Sequence, residues 1–292
     1  MRPNPQFLNR SSAFWAYTKL ISEKLNYSKD GEIKKYSQTE MVYKLQELGI
    51  IIDPQMLGEV KAYLDYRADL LNGIIKRLFM DVHTARAVFY KLQAELYEKN
   101  GYTCALPFNK QKGEKKDYAY FTGIVNILTE HTLRTYAKQN GLQYGRDVKF
   151  DDNPLSLSYI TDEAGRLQGI MSRRFDGAYP GTENPLAIWE VKEYYYTTTF
   201  GSRIADGVYE TQLDGFEINT ISKETQKNIQ HIYFIDDFNT WWNMGKSYLC
   251  RIVDMLHVGH VDEVIFGKEV LERWPKVLHE LLAAHEVAVQ GR

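Results

Sequence analysis

Cysteine is scarce in this 292-residue chain: two residues, Cys104 and Cys250, stand at no CxxC or other zinc spacing. Two thiols cannot build the disulfide framework of a small secreted domain, so a reducing cytoplasm is the expected home. Long apolar runs are also lacking. No stretch reaches the roughly 18 uncharged apolar residues that a membrane span needs, and "MRPNPQFLNRSSAFWAYTKL" has no continuous apolar centre of the secretory kind. A soluble, unprocessed chain with no membrane partner is expected. Net charge is small: 36 basic against 38 acidic residues leave -2. That balance excludes a surface coated in positive charge, but a locally basic cleft remains open. Walker A, a GxGxxG that opens a helix after a strand, and GxSxG are all absent. Nucleotide hydrolysis, dinucleotide binding and serine hydrolysis therefore have no support.

What is present is an ordinary globular mixture, 44% hydrophobic and 25% charged, with aromatics at 13% and 21 tyrosines. The tyrosines suit base stacking or an aromatic-rich core. Apolar residues recur at helical spacing over 11–26 and 38–48, where Ser37 and Glu40 have the spacing of a capping box and Gly49 marks the end. Further helices are expected over 54–71 and 78–99. Residues 1–105 thus form an expected all-helical N-terminal region, and helix, Gly turn and helix over 38–66 match either a helix-turn-helix DNA reader or an ordinary bundle. "ALPFNKQKGEKKDYAY" is polar and lysine-rich, an exposed connection or a phosphate-contacting loop.

From Tyr118 the pattern changes. An amphipathic helix, "YFTGIVNILTEHTLRTYAKQNG", is followed by alternating segments. "PLSLSYI" and "GRLQGIMSRRFDG" flank "TDEAG" and predict a hairpin with Gly165 in its turn; "PLAIWEVKEYY", "NIQHIYFID" and "VDEVIFG" predict three more strands. Helices are expected over 202–214, 238–257 and 268–287. The order predicts an α/β fold: a mixed central sheet, antiparallel at first and then parallel, with helices on both faces.

The chemistry concentrates in "FDGAYPGTENPLAIWEVKEYY", residues 175–195. Asp176 is expected to end the second strand. Period-2 alternation puts Glu190 and Lys192 on one face of the third, with Trp189 and Val191 on the other. If those strands are neighbours, Asp176 meets Glu190. Two carboxylates brought together repel unless a divalent cation neutralises them, and oxygen ligands with open water positions suit Mg²⁺ or Mn²⁺. A phosphodiester offers the matching reaction, with Lys192 to orient or help deprotonate the attacking water. The alternative is a salt-bridged hairpin end. Arg173 and Arg174 precede Asp176, and alternation places Arg174 on its face, to bind phosphate or to balance the acids. His257 and His260 stand three apart with no third ligand near, so zinc is not expected.

Asp176 followed by Glu190-Val191-Lys192, in this order of helix, strands and helix, resembles the PD-(D/E)xK nuclease superfamily over roughly residues 118–270. The proline before the family's aspartate is replaced by Phe175. The Glu-x-Lys triplet alone is uninformative, since it also occurs at Glu32, Glu59 and Glu114; only the one at Glu190 lies on an expected strand. The resemblance implies a restriction-endonuclease-like core at 118–292 and a metal held by Asp176, Glu190 and the Val191 carbonyl. It also implies helpers: Glu130 on the preceding helix, for a second metal or a metal-bound water, and Gln212 near the scissile phosphate, with Arg203 second. The implied activity is Mg²⁺-dependent hydrolysis of double-stranded DNA, most naturally by a homodimeric type II restriction endonuclease. A repair or phage-defence nuclease and a catalytically silent DNA-binding protein are the alternatives.

Overall fold

The computed structural model describes residues 1–111 and 114–290. In the N-terminal region the starts of the first three α-helices are fixed by their own sequence. Ser11 caps α1 (Ser12–Lys24), and the Ser37–Glu40 capping box opens α2 (Gln38–Glu47). Asp53 caps α3 (Pro54–Leu70) with Pro54 in the first turn, where its missing N–H costs nothing. The three helices close around Phe14, Trp15, Tyr63 and Leu64. The region is not wholly helical, because β1 (Ser28–Lys29) and β2 (Glu32–Ile33) pair as a short antiparallel ladder. After α3 the chain runs through a wide helical turn (Leu71–Ile75) into the short α4 (Lys76–Leu78).

Asp81 then caps α5 (Val82–Leu92). This helix packs on the following α6 (Tyr120–Gln139), with Phe89 against Tyr120 and at the very spot where a Cβ on Gly123 would stand. The expected open connection between them is instead an antiparallel hairpin, β3 (Phe108–Gln111) with β4 (Glu114–Tyr118). Lys112 and Gly113 of that lysine-rich segment lie outside the described residues.

The long second strand expected to reach Asp176 is broken in two. β5 (Tyr159–Thr161) and β6 (Leu167–Ile170) form a separate hairpin with Gly165 at positive φ in its turn. β7 (Gly177–Tyr179) joins the main sheet, so Asp176 precedes a strand rather than ending one. That sheet has the order β10–β9–β8–β7. β7 is antiparallel to β8 (Ala187–Glu193), while β9 (Gln230–Asp236) and β10 (Glu263–Phe266) continue parallel to it. Asp151 adds one antiparallel bridge to Ala178 on the outer edge of β7.

Side-chain alternation assigns the two faces. Trp189, Ile232 and Phe234 pack with α6 and α9 (Val270–Gln290), whereas Tyr233 and Ile235 pack with α7 (Ser202–Thr225) and α8 (Lys246–Val258). The fold is thus mixed α/β, with a central sheet between helical layers. β9 is buried on both faces along nearly its whole length, which is why it reads as an almost unbroken apolar run. α7 runs to Thr225, a full eleven residues beyond the expected end at Asp214. No helix among the described residues is long and apolar enough to cross a membrane.

Candidate functional site

β8 outruns β7. The ladder stops at Gly177 opposite Trp189, and Asp176 closes it: its N–H donates to the Trp189 carbonyl at 3.0 Å, and its Oδ2 accepts the Val191 N–H at 2.7 Å. Trp189 and Val191 turn their backbone groups to the same strand edge, so the Val191 carbonyl also faces the exposed Asp176 side. Residue 177 must be glycine, because a Cβ there would fall 2.1 Å from the Trp189 indole.

On the α7 face of β8, Glu190 and Lys192 lie together as alternation requires. Lys192 Nζ donates to Glu190 Oε2 at 2.8 Å. The other oxygen, Oε1, accepts Arg173 Nη1 at 2.7 Å, and Arg173 Nε lies 3.2 Å from Asp214 on α7. The arginine beside the acids is therefore Arg173, not Arg174: residues 171–176 are not a strand, so alternation does not apply there, and Arg174 is exposed.

Burial first, then the neighbouring Asp176 carboxylate, push the Glu190 carboxyl up to about 8, against the pull of Lys192 and Arg173. Burial alone would lower the Lys192 ammonium, but Glu190, Tyr233 and Asp176 outweigh it and raise its pKa, so Lys192 stands as a cation. Asp214 is raised to about 6 by burial, with Arg173 and Lys192 opposing. Two buried carboxyls, Glu190 and Asp214, thus face two half-buried cations, Lys192 and Arg173, at a desolvation cost that pairing only partly offsets.

Asp176 stands where three clefts meet. One of about 430 Å³ runs between the end of β8 and α7, past Arg203, Asp206 and Glu210. A second of about 580 Å³ runs past Arg173, Arg174 and Leu155, and a third of about 250 Å³ past Pro107, Thr122 and Asp152. Together they open space on several sides of one carboxylate.

Two expected helpers are not brought here. Glu130 is fully buried, and its carboxylate accepts the N–H groups of Thr103 and Cys104 and pairs with Arg134 Nε at 2.7 Å. It anchors the 103–104 turn to α6. Gln212 lies on another side of α7, in a cleft shared with Leu20 and Arg251. Helical spacing explains both: the position of a residue on a helix gives its element, but the rotation of the helix decides which side it serves. Arg203 does line the β8–α7 cleft.

Three residues went unassigned in the sequence. Arg173 and Asp214 depended on an irregular segment and a helix rotation. Glu193 was legible, because alternation sends it to the face opposite Lys192. There its carboxylate accepts the Phe121 and Thr122 N–H groups at 3.0 and 3.1 Å, a cap for the first turn of α6 supplied from the site strand.

Among the described residues no three His, Cys, Asp or Glu side chains converge as a ready cation site. The donor set at the β7–β8 edge is two carboxylates and one carbonyl, which suits a hard divalent ion that keeps most of its waters. Glu190 would have to exchange Arg173 for such an ion. The fold and site therefore define a mixed α/β protein with a carboxylate–lysine cluster at a cleft junction. The chain belongs to the family described as domain of unknown function DUF7687, whose model matches residues 80–281, and a second domain of unknown function, DUF7690, matches residues 1–74. No curated protein and no solved structure matches the chain.

Proposed function

We propose that this protein is a Mg²⁺-dependent endonuclease that hydrolyses phosphodiester bonds of double-stranded DNA, with a restriction-endonuclease-like core. One observation carries the reading: Asp176, where three clefts meet, is bonded to the Val191 backbone on β8, the strand on which Glu190 and Lys192 pair. The sheet supports it, with an antiparallel pair that carries the acids and two parallel strands added behind. Asp176, Glu190 and the Val191 carbonyl would hold Mg²⁺ or Mn²⁺. When bound, that ion supplies an activated water and charge neutralisation at the phosphate.

The protein's own residues then have defined tasks. Lys192, whose Nζ donates to Glu190, orients or helps deprotonate the attacking water and offsets phosphate charge. Arg173 leaves Glu190 for a phosphate oxygen, where its planar fork is best used. Glu193 fixes the end of β8 against α6. A type II restriction endonuclease, acting as a homodimer that addresses two strands, is the particular case we favour, with the N-terminal helices selecting DNA. The two buried free thiols suit a reducing cytoplasm.

Incubation of the pure protein with long duplex DNA, in Mg²⁺ or in EDTA, tests this. Discrete Mg²⁺-dependent fragments, lost in folded Asp176→Ala and Lys192→Ala variants, are expected. Uniform smearing with the same dependence would keep the active site and remove the restriction reading in favour of a repair or phage-defence nuclease. A second reading rests on Arg173, which already satisfies Glu190 without a metal: a catalytically silent DNA-binding protein. Tight DNA binding with no cutting in any divalent metal would move the assignment there.

A further inference from the structure

A cleft of about 470 Å³ lies between α1, α7 and α8, with a wall formed by Leu20, Val208, Met255 and Val258. Its volume falls within the range of pockets for small organic ligands, and an apolar lining with few polar groups is their usual form. The polar groups are unusual in their balance. Arg251 sits over the Tyr248 ring at 4.7 Å and near Tyr27 at 5.6 Å, and its Nη1 donates to Tyr209 Oη at 2.5 Å. Among the described residues neither Arg251 nor Lys19, on the facing helix, forms an ion pair, as the ion pairs found there lie elsewhere.

The two acids of the lining are already engaged. Asp254 accepts both Arg67 Nη1 and Tyr63 Oη, and Glu23 pairs with Lys24 at 3.1 Å. His260, nine-tenths buried in the same wall, has an Nδ1 with no partner. An apolar cavity whose cations lack acids is complementary to a molecule with an apolar body and one anionic group. We propose that this cleft binds a small aromatic organic anion. The site is separate from the carboxylate–lysine cluster and does not depend on the nuclease reading. α7 separates the two, with Gly207 lining one cleft and Val208 the other.

The test uses 8-anilinonaphthalene-1-sulfonate as the anionic probe and N-phenyl-1-naphthylamine, the same body without the sulfonate, as its neutral counterpart. Fluorescence titration of the full chain is expected to show saturable one-to-one binding of the anion. Arg251→Met and Lys19→Met, each with an unchanged melting temperature, should weaken the anion about 10-fold and the neutral probe less than about 2-fold. Ala16→Trp, a change at an exposed residue of the lining, should fill the cleft and abolish binding of both. Non-saturable anion binding to the native chain, equal losses for both probes in the two charge variants, or full binding to Ala16→Trp would each overturn the proposal. Lys19 is exposed, so its variant keeps the test decisive even if the Arg251 variant fails to fold.

Discussion

Glu130→Ala separates an anchor from a catalytic residue. The carboxylate is fully buried and is the acceptor for two backbone N–H groups, Thr103 at 2.9 Å and Cys104 at 2.7 Å, as well as for the partly exposed Arg134. Alanine leaves both N–H groups without an acceptor. A buried unsatisfied donor costs about 1–3 kcal/mol, which applies to the Cys104 group, while the part-buried Thr103 group stands at the low end, about 1 kcal/mol. The Arg134 contact, a third exposed, adds at most about 1 kcal/mol after solvent screening. The loss of stability should therefore total about 2–5 kcal/mol. In a chain of this length that corresponds to roughly 4–10 °C in Tm, at about 2 °C per kcal/mol. Urea unfolding gives the quantity directly, since the midpoint should fall with an unchanged slope. Glu130→Gln keeps one acceptor oxygen and should lose about half as much. A loss under about 1 kcal/mol would refute the anchoring argument. Loss of the proposed DNA cleavage with stability intact would place Glu130 in the chemistry after all.

Asp176→Ala should do the opposite. The residue is exposed and gives up one hydrogen bond from Val191, so stability should change by about 1 kcal/mol or less, while the proposed Mg²⁺-dependent cleavage should fall at least about 100-fold; cleavage near the wild-type rate would remove it from the site. Arg67→Met strands the buried Asp254 carboxylate that it holds at 2.9 Å, and a cost of about 3–5 kcal/mol is expected in urea unfolding, partly recovered when Asp254→Leu is added. Additive losses in that double variant would show that the two residues are not coupled. Burial holds His231 neutral, with Nδ1 donating to the His260 carbonyl and its pKa pushed down from 6.5 to about 4. A depressed histidine contributes stability in full above its unfolded pKa and loses it as the pH falls toward the folded one. Unfolding free energy should thus drop by roughly 3 kcal/mol between pH 7 and 4 on this account, and a His231→Gln variant should lose less over that window. An unchanged acid limb in the variant would show that another group carries the transition.

Helix starts were legible because a cap is a local object. Ser37 and Glu40 are three residues apart in the chain and bond within that span, so the sequence contains the whole interaction. The pairing of Glu190 with Lys192 was legible for the same reason: on a strand, two residues of separation fix a shared face. Irregular backbone broke the reading elsewhere. Residues 171–176 have no period, so the choice of Arg174 over Arg173 used a rule that did not apply. The hairpin over 108–118 was hidden because its polar, lysine-rich composition resembles that of a loop, and its pairing depends on backbone groups that composition does not report.

By itself the sequence determined the capped helix starts, the mixed α/β class and one strand face with an acid and a lysine, since each follows from spacing within a few residues. Only the tertiary structure decided that Asp176 closes the ladder beside Val191, that Arg173 and Asp214 complete the cluster, and that Glu130 and Gln212 serve other places. Those outcomes depend on the rotation of α6 and α7 about their axes and on where β7 runs out. Packing of the whole core sets both, and no single segment carries them.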